Sequence, residues 1–171
     1  MALIVEDGSI VANANGYISV AELKTYWSNR NTTLTQTDDE LAAAIIIATQ
    51  HVDYNYTFKG SIVNSTQSLA WPRTGVVDGR GVTIANNVIP VQLKNAIAEF
   101  AQRQATAPIQ PDVESTGIVK RTKVKVDVIE EETEYEEGTA IGFKSFPQAE
   151  NYLRGLTTGG AFGNFGRVGT C

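Results

Sequence analysis

The chain has 171 residues, of which 42% are apolar and 19% charged, an ordinary balance for one globular body and one that argues against general disorder. Its formal charge of -5 excludes a generic basic footprint for nucleic acid, so any DNA contact has to be local. A single cysteine, Cys171, leaves no disulfide framework and no cysteine-based zinc site. No apolar stretch is long enough to span a bilayer, and Met1 to Asp7 carry no basic, apolar leader pattern, so synthesis in the cytoplasm with no membrane partner is expected.

In chain order, Ser19 and Glu22 stand at capping-box spacing, with Val20, Leu23 and Tyr26 or Trp27 at helical spacing behind them; a short helix is predicted to Arg30. Thr37 and Glu40 open a second helix whose face is Leu41, Ala44, Ile45, Ala48 and Val52. Ile45, Ile46 and Ile47 make its apolar surface wider than one stripe, which marks them as candidate interface residues. The helix is predicted to run into an aromatic exit, Tyr54, Tyr56 and Phe58, and to stop near Gly60.

A polar loop from Ser61 to Ser68 precedes Leu69, Trp71, Pro72 and Arg73, where Pro72 forces Trp71 into an extended conformation. Leu69 and Trp71 are expected to bury against Tyr54, Tyr56 and Phe58, with Pro72 holding the segment extended and Arg73 at the surface or against a carboxylate, so that these seven residues anchor the fold. Asp78 to Gly81 read as a turn. Pro90 stands at the first position of a third helix with Leu93, Ala96, Ile97, Phe100 and Ala101 on its face, and Pro108 and Pro111 begin a linker.

From Ile118 the period becomes two, with Val124, Val126 and Val128 on one side and Lys123, Lys125 and Asp127 on the other. A hairpin follows if the return strand includes Tyr135. Lys120, Arg121, Lys123 and Lys125 precede a run of Glu130, Glu131, Glu132, Glu134, Glu136 and Glu137, ordinarily a solvated face. Pro147 opens a short helix to Leu153, and the glycine-rich stretch from Thr157 to Cys171, carrying Phe162, Phe165 and Arg167, reads as an arm. The expected fold is mainly α, a small helical bundle with an inserted hairpin and an extended C-terminal arm. Its expected parts are a helical body over 1–108, the insertion over 109–145 and the short helix with arm over 146–171.

No catalytic constellation is visible. The one histidine, His51, lies within the second helix without a second histidine to complete a nucleophilic or metal set, and the glutamate run lacks calcium-loop spacing. Gly75 to Gly81 lack the Gly-Lys-Ser/Thr ending of a phosphate loop. The expectation is a protein that is not an enzyme and holds no metal or cofactor.

The block from His51 to Phe58, with Lys59, Gly60, Gln67, Leu69, Trp71, Pro72, Arg73 and Gly75, then Ile89, Pro90 and a helix with Ala96, resembles a family of small phage proteins described as DnaT-like single-stranded-DNA-binding proteins. Over about Tyr17 to Ala107 it also resembles head-tail connector adaptors of tailed bacteriophages. The connector resemblance implies a structural virion protein: a dodecameric ring at the neck, between portal and tail protein, through whose lumen genomic DNA passes during ejection without sequence-specific contact. In that expectation Ile45, Ile46, Ile47, Lys123, Lys125, Phe162, Phe165 and Arg167 form interfaces, and Glu130, Glu131, Glu132 and Glu134 line the lumen. The alternative is a single-stranded-DNA-binding replication accessory that uses Lys120, Arg121, Lys123 and Lys125 with Tyr135.

Overall fold

The computed structural model describes residues 2–110, 118–125, 130–136 and 145–158. Among the described residues four helices, α1 (Val20–Ser28), α2 (Asp38–Asn55), α3 (Val91–Thr106) and α4 (Pro147–Leu153), make the fold mainly α, and the strands form two small antiparallel pairs. Both capping boxes close. Ser19 Oγ accepts the Glu22 N–H at 3.1 Å while the Glu22 carboxylate accepts the Ser19 N–H at 2.7 Å, and Thr37 and Glu40 repeat the exchange at 3.4 and 2.8 Å. Each satisfies N-terminal N–H groups that the helix ladder cannot reach, contributing on the order of 1 kcal/mol.

Helix α2 is the centre of the body. Leu41, Ala44, Ile45, Ala48 and Val52 are all buried, and they meet Leu93, Ala96, Ile97, Phe100 and Ala101 of α3 in one core. α4 packs on α3 through Ala149 and Leu153. The wide apolar surface of α2 is largely absorbed within this unit: Ile45 is fully buried and Ile46 is 9% exposed, whereas Ile47 is 40% exposed. The reason is a further layer, because the N-terminal segment passes so close that a Cβ on Gly16 would stand 3.1 Å from the Ile45 side chain. Ile45 and Ile46 therefore do not offer the free face expected of them.

The helix also ends earlier than its aromatic run suggested. Tyr56 already has extended backbone (φ -121°, ψ 135°) and caps α2, so Phe58 lies beyond the helix and forms a β-bridge with Thr157. Two short strands, β1 (Ser61–Ile62) and β2 (Arg73–Thr74), bring the chain back past this exit. Pro90 serves α3 as its N-cap and not as its first residue.

The described residues between Gln110 and Ser145 form a second compact unit, while Phe146–Thr158 joins the residues up to Ile109 in the first. In the second unit β3 (Ile118–Lys125) pairs antiparallel with β4 (Glu130–Glu136), so the inserted hairpin is present and the glutamate run supplies its return strand. The glycine-rich arm, with Phe162, Phe165 and Arg167, lies outside the described residues.

Candidate functional site

The aromatic and proline block surrounds a buried tryptophan. Trp71 is fully buried, is joined to Pro72 by a cis peptide bond, and meets Phe58 edge to face at 5.6 Å between ring centres. Tyr56 turns the other way, towards His51 and Phe100, and Leu69 packs on the core while partly exposed. His51 is half-buried with its ring 4.8 Å from that of Phe100, and among the described residues no cluster of three His, Cys, Asp or Glu could hold a metal ion.

Arg73 is partly exposed, and among the described residues it forms no ion pair with a carboxylate. Its guanidinium donates to three backbone carbonyls: Nε to Lys59 at 2.8 Å, and its two amino nitrogens to Ala70 at 3.1 Å and Gly60 at 2.8 Å. One planar fork thus ties the exit of α2 to the return segment, a task that suits arginine because its donors are fixed in direction.

A second tie was not foreseen from the sequence. Tyr17 donates its hydroxyl to Asp53 at 2.8 and 2.9 Å and accepts the Trp71 N–H at 3.1 Å, while Asp53 accepts the Ala70 N–H at 2.9 Å. Burial of the Asp53 carboxyl pushes its pKa up to about 6, against the opposing pull of the Ala70 and Tyr17 hydrogen bonds and the Arg73 charge. Burial likewise holds the Tyr17 phenol well above the usual tyrosine range.

Tyr54 departs from the expectation that it would pack on Trp71. It is 86% exposed, because it falls on the side of α2 opposite Val52. Beside it lies an open cavity of about 210 Å³ lined by Gln50, Asp53, Tyr54, Ser68, Leu69 and Ala70. The same outer stripe of α2 continues through Ile47 to Ala43, along a shallow apolar groove lined by Asp39, Ala42, Ala43, Ile46 and Ile47.

Two other polar constructions fix the body. The Glu6 carboxylate, itself 1% exposed, accepts the N–H groups of Gly8, Ile10 and Val11 at 2.8, 3.0 and 2.8 Å. Glu99 is fully buried in α3 yet satisfied by Arg103 at 2.6 Å and the Tyr26 hydroxyl at 2.7 Å, and Arg30 stacks on the Tyr26 ring. The Glu99–Arg103 pair stands at i, i+4 on a helix and was readable as a pair, though not as a buried one. A cavity of about 440 Å³ between the α2 exit and α4 is lined by Tyr56, Pro147, Glu150, Asn151, Arg154, Thr157 and Thr158.

Cations on this unit are mostly committed. Lys24, Arg80, Lys94 and Arg103 pair with Asp38, Asp78, Glu22 and Glu99, while Lys59, Arg30 and Arg73 donate to carbonyl oxygens. Arg154 is exposed and is the exception among the described residues.

In the hairpin, the register sets Arg121 opposite Glu134, Lys123 opposite Glu132 and Lys125 opposite Glu130, with Lys120 at an irregularity and Val119 opposite Tyr135. Residues 110–145 hold five basic and nine acidic residues, a net charge of -4 out of -5 for the chain. Positions directly opposite in a ladder share one face.

Over residues 1–168 the chain matches the model of a family described as "Putative DnaT-like ssDNA binding protein". No curated protein matches it, and no solved structure does. The family match overturns the connector expectation: it points to single-stranded DNA and gives no support to a neck ring of twelve copies or to portal and tail partners. The burial of Ile45 and Ile46, which removes most of the apolar face that motivated ring assembly, agrees with that correction.

Proposed function

The chain belongs to the family of DnaT-like single-stranded-DNA-binding proteins, and from that premise we propose that it binds single-stranded DNA as an accessory where duplex DNA has been opened for replication. The observation that carries the proposal is the match to this family along nearly the whole chain.

Phosphate contacts are assigned to Lys120, Arg121, Lys123 and Lys125 of β3. They are the densest basic cluster in the sequence, and the cations of the helical unit are largely committed to partners within it. The glutamates opposite three of these positions compete with phosphate, so binding is modest in strength. Fluorescence anisotropy with a thymidine oligonucleotide and with a duplex of equal length tests this. Binding of the single strand in preference to the duplex is the expected result, and no binding of either at low salt sinks the proposal.

A further inference from the structure

We infer that the cavity beside Tyr54 is a nucleobase site, in which one unpaired base of the bound strand stacks on the Tyr54 ring and turns its polar edge towards Gln50 and Ser68. This rests on the single-stranded-DNA reading and adds to it a location on the helical unit, independent of the basic strand β3.

Four observations lead there. Tyr54 is the most exposed of the large hydrophobic side chains among the described residues, at 86%, although the chain buries its other aromatic neighbours Tyr56, Phe58 and Trp71 to 6% or less. Its ring does no packing work for the fold, unlike theirs. The ring also borders a cavity of about 210 Å³, so a flat ligand can lie on its face and still have walls at its edge. Those walls carry what a base requires: the apolar side chains of Leu69 and Ala70, an amide at Gln50 that both donates and accepts, and a hydroxyl at Ser68.

The walls are held rigid. Asp53, at the cavity, accepts the Ala70 N–H and the Tyr17 hydroxyl, and Arg73 holds the Ala70 carbonyl, so the return segment stays at a fixed distance from α2. A stacking platform gains from such rigidity because little ordering is left to occur on binding. The lining has no lysine or arginine. It therefore suits the base and not the phosphate, and its contribution is independent of salt.

The test uses the full chain, a twelve-nucleotide thymidine strand and a matching strand of abasic sites. Loss of stacking on one aromatic is expected to weaken binding of the base-bearing strand by about 5- to 150-fold in Tyr54→Ala, while Tyr54→Phe keeps wild-type affinity within a few-fold. The abasic strand should bind the wild type and Tyr54→Ala equally. Because the side chain is exposed, both variants should melt with the wild type. Equal affinity of Tyr54→Ala and wild type for the thymidine strand overturns this site while leaving single-stranded-DNA binding intact. Failure of the wild type to bind either strand overturns both.

Discussion

The Tyr17 hydroxyl donates to both carboxylate oxygens of Asp53, at 2.8 and 2.9 Å, across 36 residues of sequence. That bond joins the segment before α1 to the last turn of α2, and through the Ala70 and Trp71 N–H groups it reaches the return segment as well. Asp53 has a folded pKa of about 6 against 3.8 for the free side chain, with burial as the largest cause. The fold thus favours its protonated form. Between pH 4 and 6 the native state binds more protons than the unfolded one, so this group's contribution to stability falls as pH rises through that window and is least favourable above it. Asp53→Asn removes the titration and keeps an acceptor for Tyr17 and Ala70. The melting temperature of the variant minus that of the wild type should be more positive at pH 7.5 than at pH 4.5; a difference that does not move with pH refutes the argument.

Arg73 supports the same region through carbonyls. Its three donors satisfy Lys59, Gly60 and Ala70 oxygens, and hydrogen bonds from a charged donor stabilise by about 1.5–3 kcal/mol each when buried, less here because the residue is partly exposed. Arg73→Ala is expected to lower unfolding free energy by roughly 2–3 kcal/mol in urea. Arg73→Lys should recover little of it, since an ammonium on a flexible stem cannot reach three oxygens in one plane. Full recovery by lysine would show that charge, and not the fork, matters.

Gly60 meets the chain again at Thr74. Its φ of +68° lies in the left-handed region, and an added Cβ would stand 2.2 Å from the Thr74 carbonyl oxygen. Both the conformation and the space demand glycine. Gly60→Ala should destabilise by more than the roughly 1 kcal/mol that a left-handed alanine alone costs, because β2 must also move. Equilibrium unfolding reads this, and a loss under that figure would show that the close approach relaxes freely.

The helices were legible because their signals are local. Ser19 with Glu22, and Thr37 with Glu40, announce two helix starts by spacing alone, and Pro147 another. The mainly α class with an inserted hairpin followed from periodicity. What sequence could not show was set by distant partners. Tyr54 looked like a member of an aromatic cluster by adjacency, yet a helix running only to Asn55 puts it opposite the buried face. Ile45 looked free because nothing local indicates that the N-terminal segment would cover it. Tyr17 and Asp53, 36 residues apart, share no motif at all. The cavity at Tyr54 inherits this blindness, since half of its lining comes from residues 68–70.

Salt dependence separates the phosphate contacts from the base contact. If Lys120, Arg121, Lys123 and Lys125 each neutralise one phosphate, the logarithm of the binding constant falls against the logarithm of salt with a slope of roughly -2.8. If the glutamates opposite Arg121, Lys123 and Lys125 in the register act as counterions, fewer cations are released and the measured slope should be shallower. Replacing all four basic residues by glutamine should weaken binding at low salt and flatten the slope towards zero. Replacing Glu130, Glu132 and Glu134 by glutamine should do the reverse, strengthening binding and steepening the slope. Tyr54→Ala, by contrast, should shift the whole line downward at unchanged slope, because the cavity lining it borders carries no cation. Anisotropy titrations from 25 to about 200 mM salt, the range over which phosphate contacts show themselves, distinguish these outcomes. A slope that survives neutralisation of β3 would move the phosphate contacts elsewhere, and Arg154, exposed at the cavity beside α4, is the first cation to test in that event.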